Sequence, residues 1–255
     1  MEQKIIRTYA ELDEWMEGKN KILLVCDASL SFLKIKEFFD QRADRFVKFD
    51  RFKPNPLYES VVEGVQVLRE AYCDAIIAVG GGSAMDVAKC IKQYSNLPGD
   101  GAEGAWLKAE IVPDHLPFLA VPTTAGTGSE ATRYAVIYYQ GAKQSVTSER
   151  FIPETVLMDS SVLKTLPLYQ KKATMCDALC HAIESFWSVN STEESREYSR
   201  KAIRAVMENM EGYLRNSDEG NAGMLLAAHI AGKAINITQT TAGHAMCYKI
   251  TSLFG

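Results

Sequence analysis

The stretch Asp74-Ala-Ile-Ile-Ala-Val-Gly80-Gly81-Gly82-Ser83-Ala-Met-Asp86-Val-Ala-Lys89 runs a short apolar segment into three glycines and then into a helical pattern. The unbroken apolar run Ala75–Val79 suits a strand covered on both faces, as in a parallel sheet. Three glycines allow a sharp turn with N–H groups facing outward, and the next helix adds the positive end of its dipole. Together they offer a cradle for a pyrophosphate. Ser83 is placed to cap that helix, with Asp86 in a capping-box-like position, or Asp86 and Lys89 pair on the surface. The spacing is not G-x-G-x-x-G, and a bare strand-to-helix turn is the competing reading.

The same grammar continues on both sides of this stretch. Ile22–Cys26, Phe46–Phe49, Phe118–Val121 and Val156–Met158 read as further strands, and Ser31–Phe39, Leu57–Tyr72 and Ser83–Tyr94 as helices. In Leu57–Tyr72 the helical period rests on Val61, Val65, Leu68 and Tyr72. Such β-α-β alternation predicts a parallel α/β sheet. Tyr134–Tyr139 and Lys143–Thr147, separated by Gly141, predict a hairpin outside it. Beyond Ser160 only helical patterns remain, over Leu168–Ser188, Thr192–Asn216, Asn221–Asn236 and Thr241–Leu253. The expected division is an α/β domain over 1–160 and an all-α domain over 161–255. The last helical pattern stops at Gly255 without a polar tail, as if a structural unit were cut through.

Composition narrows the function classes. The 255 residues are 47% hydrophobic and 24% charged, an ordinary globular balance. Lys and Arg number 28 against 32 Asp and Glu, so bulk charge offers no attraction to nucleic acid or an anionic membrane. No leader-like or membrane-length apolar segment is visible, which predicts a cytoplasmic protein without a membrane partner. The six cysteines form no C-x-x-C pair and read as reduced thiols. Cys176 and Cys180 in particular read as small core residues.

Two further motifs carry chemistry. Pro122-Thr123-Thr124-Ala-Gly-Thr127-Gly128-Ser129-Glu130 puts a hydroxyl-rich loop after a strand, where ligands of open α/β sheets bind. Thr123, Thr124 and Thr127 suit a phosphate or carboxamide; a polar turn capped by Ser129 is the alternative. In Cys176-Asp177-Ala-Leu-Cys180-His181-Ala-Ile-Glu184, Asp177 and His181 lie one helical turn apart and can share a divalent metal or form a salt bridge. His244 is a candidate third ligand. His229 reads as a satisfied interhelical histidine.

Taken in order, GGGSAMDVAK, PTTAGTGSE, DALCHAIES and GHA resemble the motifs of the iron-containing alcohol dehydrogenase family. The resemblance implies a Rossmann-like NAD(P)-binding α/β domain followed by a helical domain holding iron, or sometimes zinc, in the cleft between them. It implies that Gly80, Gly81, Gly82 and Ser83, with Asp86 nearby, hold the pyrophosphate, and that Thr123, Thr124 and Thr127 line the cofactor. Asp27 matches the position that approaches the adenosine ribose, which favours NAD over NADP because a carboxylate repels a 2′-phosphate. Asp177, His181 and His244 match three metal ligands, and the fourth, a histidine, would fall beyond Gly255. Tyr248 stands where many relatives place another active-site histidine, with a proton relay or the shaping of the substrate pocket as its expected role. The implied reaction is reduction of a small aldehyde or oxidation of its alcohol, in a homo-oligomer. CDALCHAIESFWSVNSTEES and HAMCYKITSLFG are similar to stretches of the phosphonoacetaldehyde reductases, which would make Lys143 or Lys249 the cation for an anionic substrate, with plain surface lysines as the alternative. A polyol-phosphate dehydrogenase, a dehydroquinate-synthase-like enzyme and a noncatalytic nucleotide-binding fragment are the alternatives.

Overall fold

A computed structural model describes residues 3–110 and 115–254; the side chains at 248, 249, 251 and 252 are outside the described set. The chain divides into two compact units, Met1–Thr123 with Arg133–Thr165, and Thr124–Thr132 with Leu166–Gly255. The continuous part of the second unit starts at Leu166. The end of the hydroxyl-rich loop belongs to the helical unit, a long-range placement that no local pattern announces.

The first unit is built on six parallel strands: β1 (Lys4–Ile6), β2 (Ile22–Cys26), β3 (Phe46–Phe49), β4 (Ala75–Gly80), β5 (Phe118–Pro122) and, after a hairpin, β8 (Thr155–Leu157). Their order is β1-β8-β5-β4-β2-β3, and the hairpin β6 (Tyr134–Tyr139) with β7 (Ala142–Thr147) is a separate antiparallel pair. Every residue of β2, β4 and β5 is buried, as an apolar run covered on both faces requires. From β2 the chain steps to β3 at one edge and returns to β4 on the other side of β2. The carboxyl ends of β2 and β4 thus flank a topological switch point, where open α/β sheets bind ligands.

Four helices accompany the sheet: α1 (Tyr9–Met16), α2 (Ile35–Asp40), α3 (Tyr58–Glu70) and α4 (Gly82–Tyr94). Neither β1 nor α1 was among the expected elements. A three-residue strand has no measurable period, but the T-x-x-E capping box at Thr8 and Glu11 did mark the start of α1. The expected helix Ser31–Phe39 is split into a 3-10 turn at Ala28–Phe32, capped by Asp27, and α2. Helix α3 buries Val61, Val65 and Leu68 but not Tyr72, which is 88% exposed with φ 53°. The chain leaves the helix through that left-handed residue, with the Cys73 N–H returning to the Leu68 carbonyl at 3.0 Å.

Four helices form the second unit: α5 (Leu168–Trp187), α6 (Glu193–Leu214), α7 (Asp218–Thr238) and α8 (Ala242–Phe254). Among the described residues no helix is long and apolar enough to cross a membrane. The α6–α7 turn closes over a buried cation. The Lys171 ammonium donates to the Tyr213 carbonyl at 3.1 Å, Asn216 Oδ1 at 2.9 Å and Asn221 Oδ1 at 2.7 Å, so its three protons match three acceptors. Burial holds this amine below its ordinary pKa. Lys171→Met is expected to destabilise the protein by about 2–3 kcal/mol in urea denaturation, because buried acceptors lose their donor.

Candidate metal centre

Helix α5 sets Asp177, His181 and Glu184 on one face through their i, i+4 and i+7 spacing. The first turn of α8 brings His244 to that face. His244 Nε2 lies 3.3 Å from Asp177 Oδ1, and His181 Nε2 lies 3.7 Å from the same oxygen. The two imidazoles stack with centroids 4.4 Å apart and 12° between their planes. Asp177, His181 and His244 can each offer one ligand atom, all within 4.8 Å of one another.

The surroundings set the charge of each group. Burial pushes Asp177 up, but the hydrogen bond from His244 and the charges of both rings outweigh it and hold the carboxyl below its ordinary value. Burial dominates at His181 and pulls it down against the attraction of Asp177, favouring the neutral ring that a metal needs. His244 is raised, first by its hydrogen bond to Asp177 and, against burial, by Glu184 as well. Glu184 Oε1 lies 2.7 Å from His244 Nδ1, while Oε2 accepts from the Thr241 N–H and, at 2.7 Å, from its hydroxyl. Nothing in the local pattern assigns Glu184 this role, because Thr241 and His244 lie 57 and 60 residues further along the chain.

This donor set fits a divalent ion. Metal–nitrogen and metal–oxygen bonds of about 2.0–2.2 Å place the ligand atoms of one ion up to about 4.4 Å apart, so slight closure suffices. Two imidazoles and one carboxylate with open positions suit ferrous iron, and three protein ligands are also the pattern of catalytic zinc.

Other expected residues are placed differently. Cys176 and Cys180 are exposed rather than core, since α5 turns the metal-ligand face inward and these positions outward. All six cysteines are free. Ser83 does not cap α4: the helix starts at Gly82 with Gly81 as its N-cap, without a side-chain cap bond. The Asp86 carboxylate accepts the Val136 N–H at 3.0 Å, which fastens the hairpin, and Lys89 is buried rather than on the surface and donates to the Tyr134 carbonyl at 2.7 Å. Lys143 sits in the same neighbourhood, where burial lowers it and Asp86 raises it. The side chains of Tyr248 and Lys249 lie outside the described residues.

At the switch point, Asp27 Oδ1 accepts the Ser29 N–H at 2.8 Å. A Cβ added at Gly80 would lie 2.8 Å from Asp27 Oδ2, so the carboxylate stands against the first glycine of the triplet. The Thr123 N–H donates to the Gly80 carbonyl at 3.0 Å, tying the end of β5 to that glycine. Thr124 and Thr127 belong to the helical unit, where the Thr127 hydroxyl accepts the Ser129 N–H at 3.2 Å. That segment is fastened to α7 by Glu130 and His229, both buried, 3.2 Å apart.

Residues 5–160 match the iron-containing alcohol dehydrogenase family, and residues 171–255 match its C-terminal part. The chain belongs to the iron-containing alcohol dehydrogenase family. Alcohol dehydrogenase 4 of Schizosaccharomyces pombe is 28% identical over 248 residues, covering 94% of this chain and 58% of the relative. The 1,3-propanediol dehydrogenase of Citrobacter freundii is 31% identical over 252 residues, covering 93% and 64%. Among solved structures, sulfoacetaldehyde reductase from Bifidobacterium kashiwanohense in complex with NAD+ superposes with a TM-score of 0.90 at 27% identity, covering 99% of this chain and 69% of that one. The chain therefore spans less than two thirds of the length of these two curated relatives.

One position tests how this family member holds its loop. Gly128 has φ 57°, and a Cβ there would lie 2.6 Å from the Ala228 carbonyl oxygen of α7. Gly128→Ala is expected to destabilise the helical unit by more than about 1 kcal/mol, read as a lower melting temperature, from left-handed strain plus backbone overlap.

Proposed function

We propose that this chain carries the cofactor and metal sites of a metal-dependent, NAD-linked alcohol dehydrogenase that interconverts a small aldehyde and its alcohol. The observation that supports it most is the convergence of Asp177, His181 and His244 on one point in a chain of this family. In this reading the three side chains hold a divalent ion, iron or zinc. That ion supplies a Lewis acid for a carbonyl or alkoxide oxygen, and a nicotinamide cofactor supplies or takes the hydride. Burial keeps His181 neutral, and Asp177 contributes the negative charge that offsets the cation.

Gly80, Gly81, Gly82 and Ser83 bind the pyrophosphate through the N-terminus of α4, which lacks a side-chain cap. Thr123, Thr124 and Thr127 line the cofactor. Asp86, one turn into α4, belongs to the same set, with its Oδ2 also holding the hairpin through the Val136 N–H. Asp27 meets the adenosine ribose and selects NAD against NADP. Accordingly, Asp27→Gly is expected to raise the NADPH/NADH preference at least about tenfold, by removing a carboxylate that repels the 2′-phosphate. An unchanged preference places Asp27 away from the ribose.

For the substrate we propose a short aldehyde bearing a strong anion, a phosphonate or a sulfonate. The motif resemblance to phosphonoacetaldehyde reductases and the likeness to a sulfoacetaldehyde reductase support it. The test is metal content by mass spectrometry together with NADH oxidation by acetaldehyde, sulfoacetaldehyde and phosphonoacetaldehyde. One metal per chain, lost in His181→Ala, and turnover with the anionic aldehydes are expected. Unchanged metal in His181→Ala overturns the ligand assignment, and NAD binding by a wild-type chain that takes up no metal favours a noncatalytic nucleotide-binding protein.

A further inference from the structure

We infer that Glu184 is the positioning residue that fixes His244 with a proton on Nδ1 and so presents Nε2 to Asp177 and His181. This rests on the metal reading above for its purpose, but the geometry stands by itself. Glu184 is 4% exposed and lies one turn beyond His181 on α5. Three groups converge on its carboxylate: His244 Nδ1 on Oε1, and the N–H and hydroxyl of Thr241 on Oε2.

The backbone around His244 is shaped to allow this. A Cβ at residue 243 would lie 2.6 Å from Glu184 Oε1, so the approach of the carboxylate requires Gly243. The connection from α7 passes through Gln239 at φ 62°, ψ 177°, a region otherwise left to glycine. Thr241 then meets Glu184, and its carbonyl accepts the Ala245 N–H at 3.1 Å in the first turn of α8. A strained residue two positions before Thr241 and a glycine two positions after it, the glycine against the carboxylate itself, point to a position that is held, not incidental.

The chemistry explains why a carboxylate is needed. An ionised carboxylate only accepts, so it can take all three donors, and the 2.7 Å contact with Glu184 against 3.3 Å to Asp177 favours the neutral ring's proton on Nδ1, leaving Nε2 as the nitrogen that faces Asp177 and an incoming ion. A carboxamide has one oxygen and one NH2. With its oxygen turned to Thr241, its NH2 faces His244 Nδ1, which must then accept, and the ring proton moves to the ligating nitrogen. Orientation of a ligand imidazole by a partner on its other nitrogen typically governs about 10–100-fold in metal affinity.

The experiment uses the full chain with 15N-labelled histidine and compares wild type, Glu184→Gln and Thr241→Val, with circular dichroism as the check on folding. Metal-free samples at a pH where His244 is neutral report its tautomer by NMR, and Co2+ titration with a competing chelator reports affinity. Wild type is expected to show the Nδ1–H tautomer. Glu184→Gln is expected to shift it to Nε2–H and to weaken Co2+ binding about 10–100-fold. Thr241→Val, which removes one donor but leaves Oε1 to His244, is expected to keep the wild-type tautomer and affinity. An Nε2–H tautomer in wild type overturns the inference, as does a Thr241→Val loss equal to that of Glu184→Gln, which would mean that the carboxylate acts only by anchoring α8. If wild type binds no Co2+ the metal reading falls, while the tautomer still decides what Glu184 does.

Discussion

The helical unit has to hold one carboxylate and two imidazoles together in a cluster that is only partly open to water. Asp177 and His181 are held apart by a single turn of α5, and His244 reaches them only because α8 begins where it does. Burying ionisable groups is unfavourable unless they are paired. Here Asp177 and Glu184 approach His244 from opposite ring nitrogens, while burial holds His181 neutral. Two carboxylates held below their ordinary values outweigh one raised imidazole, so the cluster is net negative, the condition that suits a divalent cation.

The α/β unit meets a different constraint. Its strands are buried on both faces, so specificity for a ligand has to come from the loops at their carboxyl ends. At the switch point the chain brings together Asp27, the glycine triplet and the amide of Thr123. The hairpin is tied to α4 by Asp86, which accepts the Val136 N–H, and by Lys89, which donates to the Tyr134 carbonyl.

Much of this was legible in the residues. Long periodic segments announced themselves: α5 to α8 fall within three residues of their expected limits, and the buried strands read as apolar runs. The convergence of Asp177 and His181 was legible because i, i+4 spacing is a local property, and that of His244 because its motif is shared by a family. What escaped depended on partners distant in sequence. Nothing local distinguishes an Asp86 that caps a helix from one that accepts a hairpin N–H fifty residues away. Nor does the sequence around Thr124–Thr132 disclose that the segment packs with the helices. Glu184 is the instructive case, since its spacing from His181 put it on the ligand face, yet its partners come from another helix.

The most direct test is a crystal structure of the protein grown with Fe2+ or Zn2+, with diffraction recorded at the absorption edge of the metal. The account predicts one anomalous peak within about 2.3 Å of Asp177 Oδ1, His181 Nε2 and His244 Nε2, with Glu184 still bound to His244 Nδ1. A peak elsewhere, or no peak at saturating metal with the three side chains merely hydrogen-bonded to one another, would contradict it.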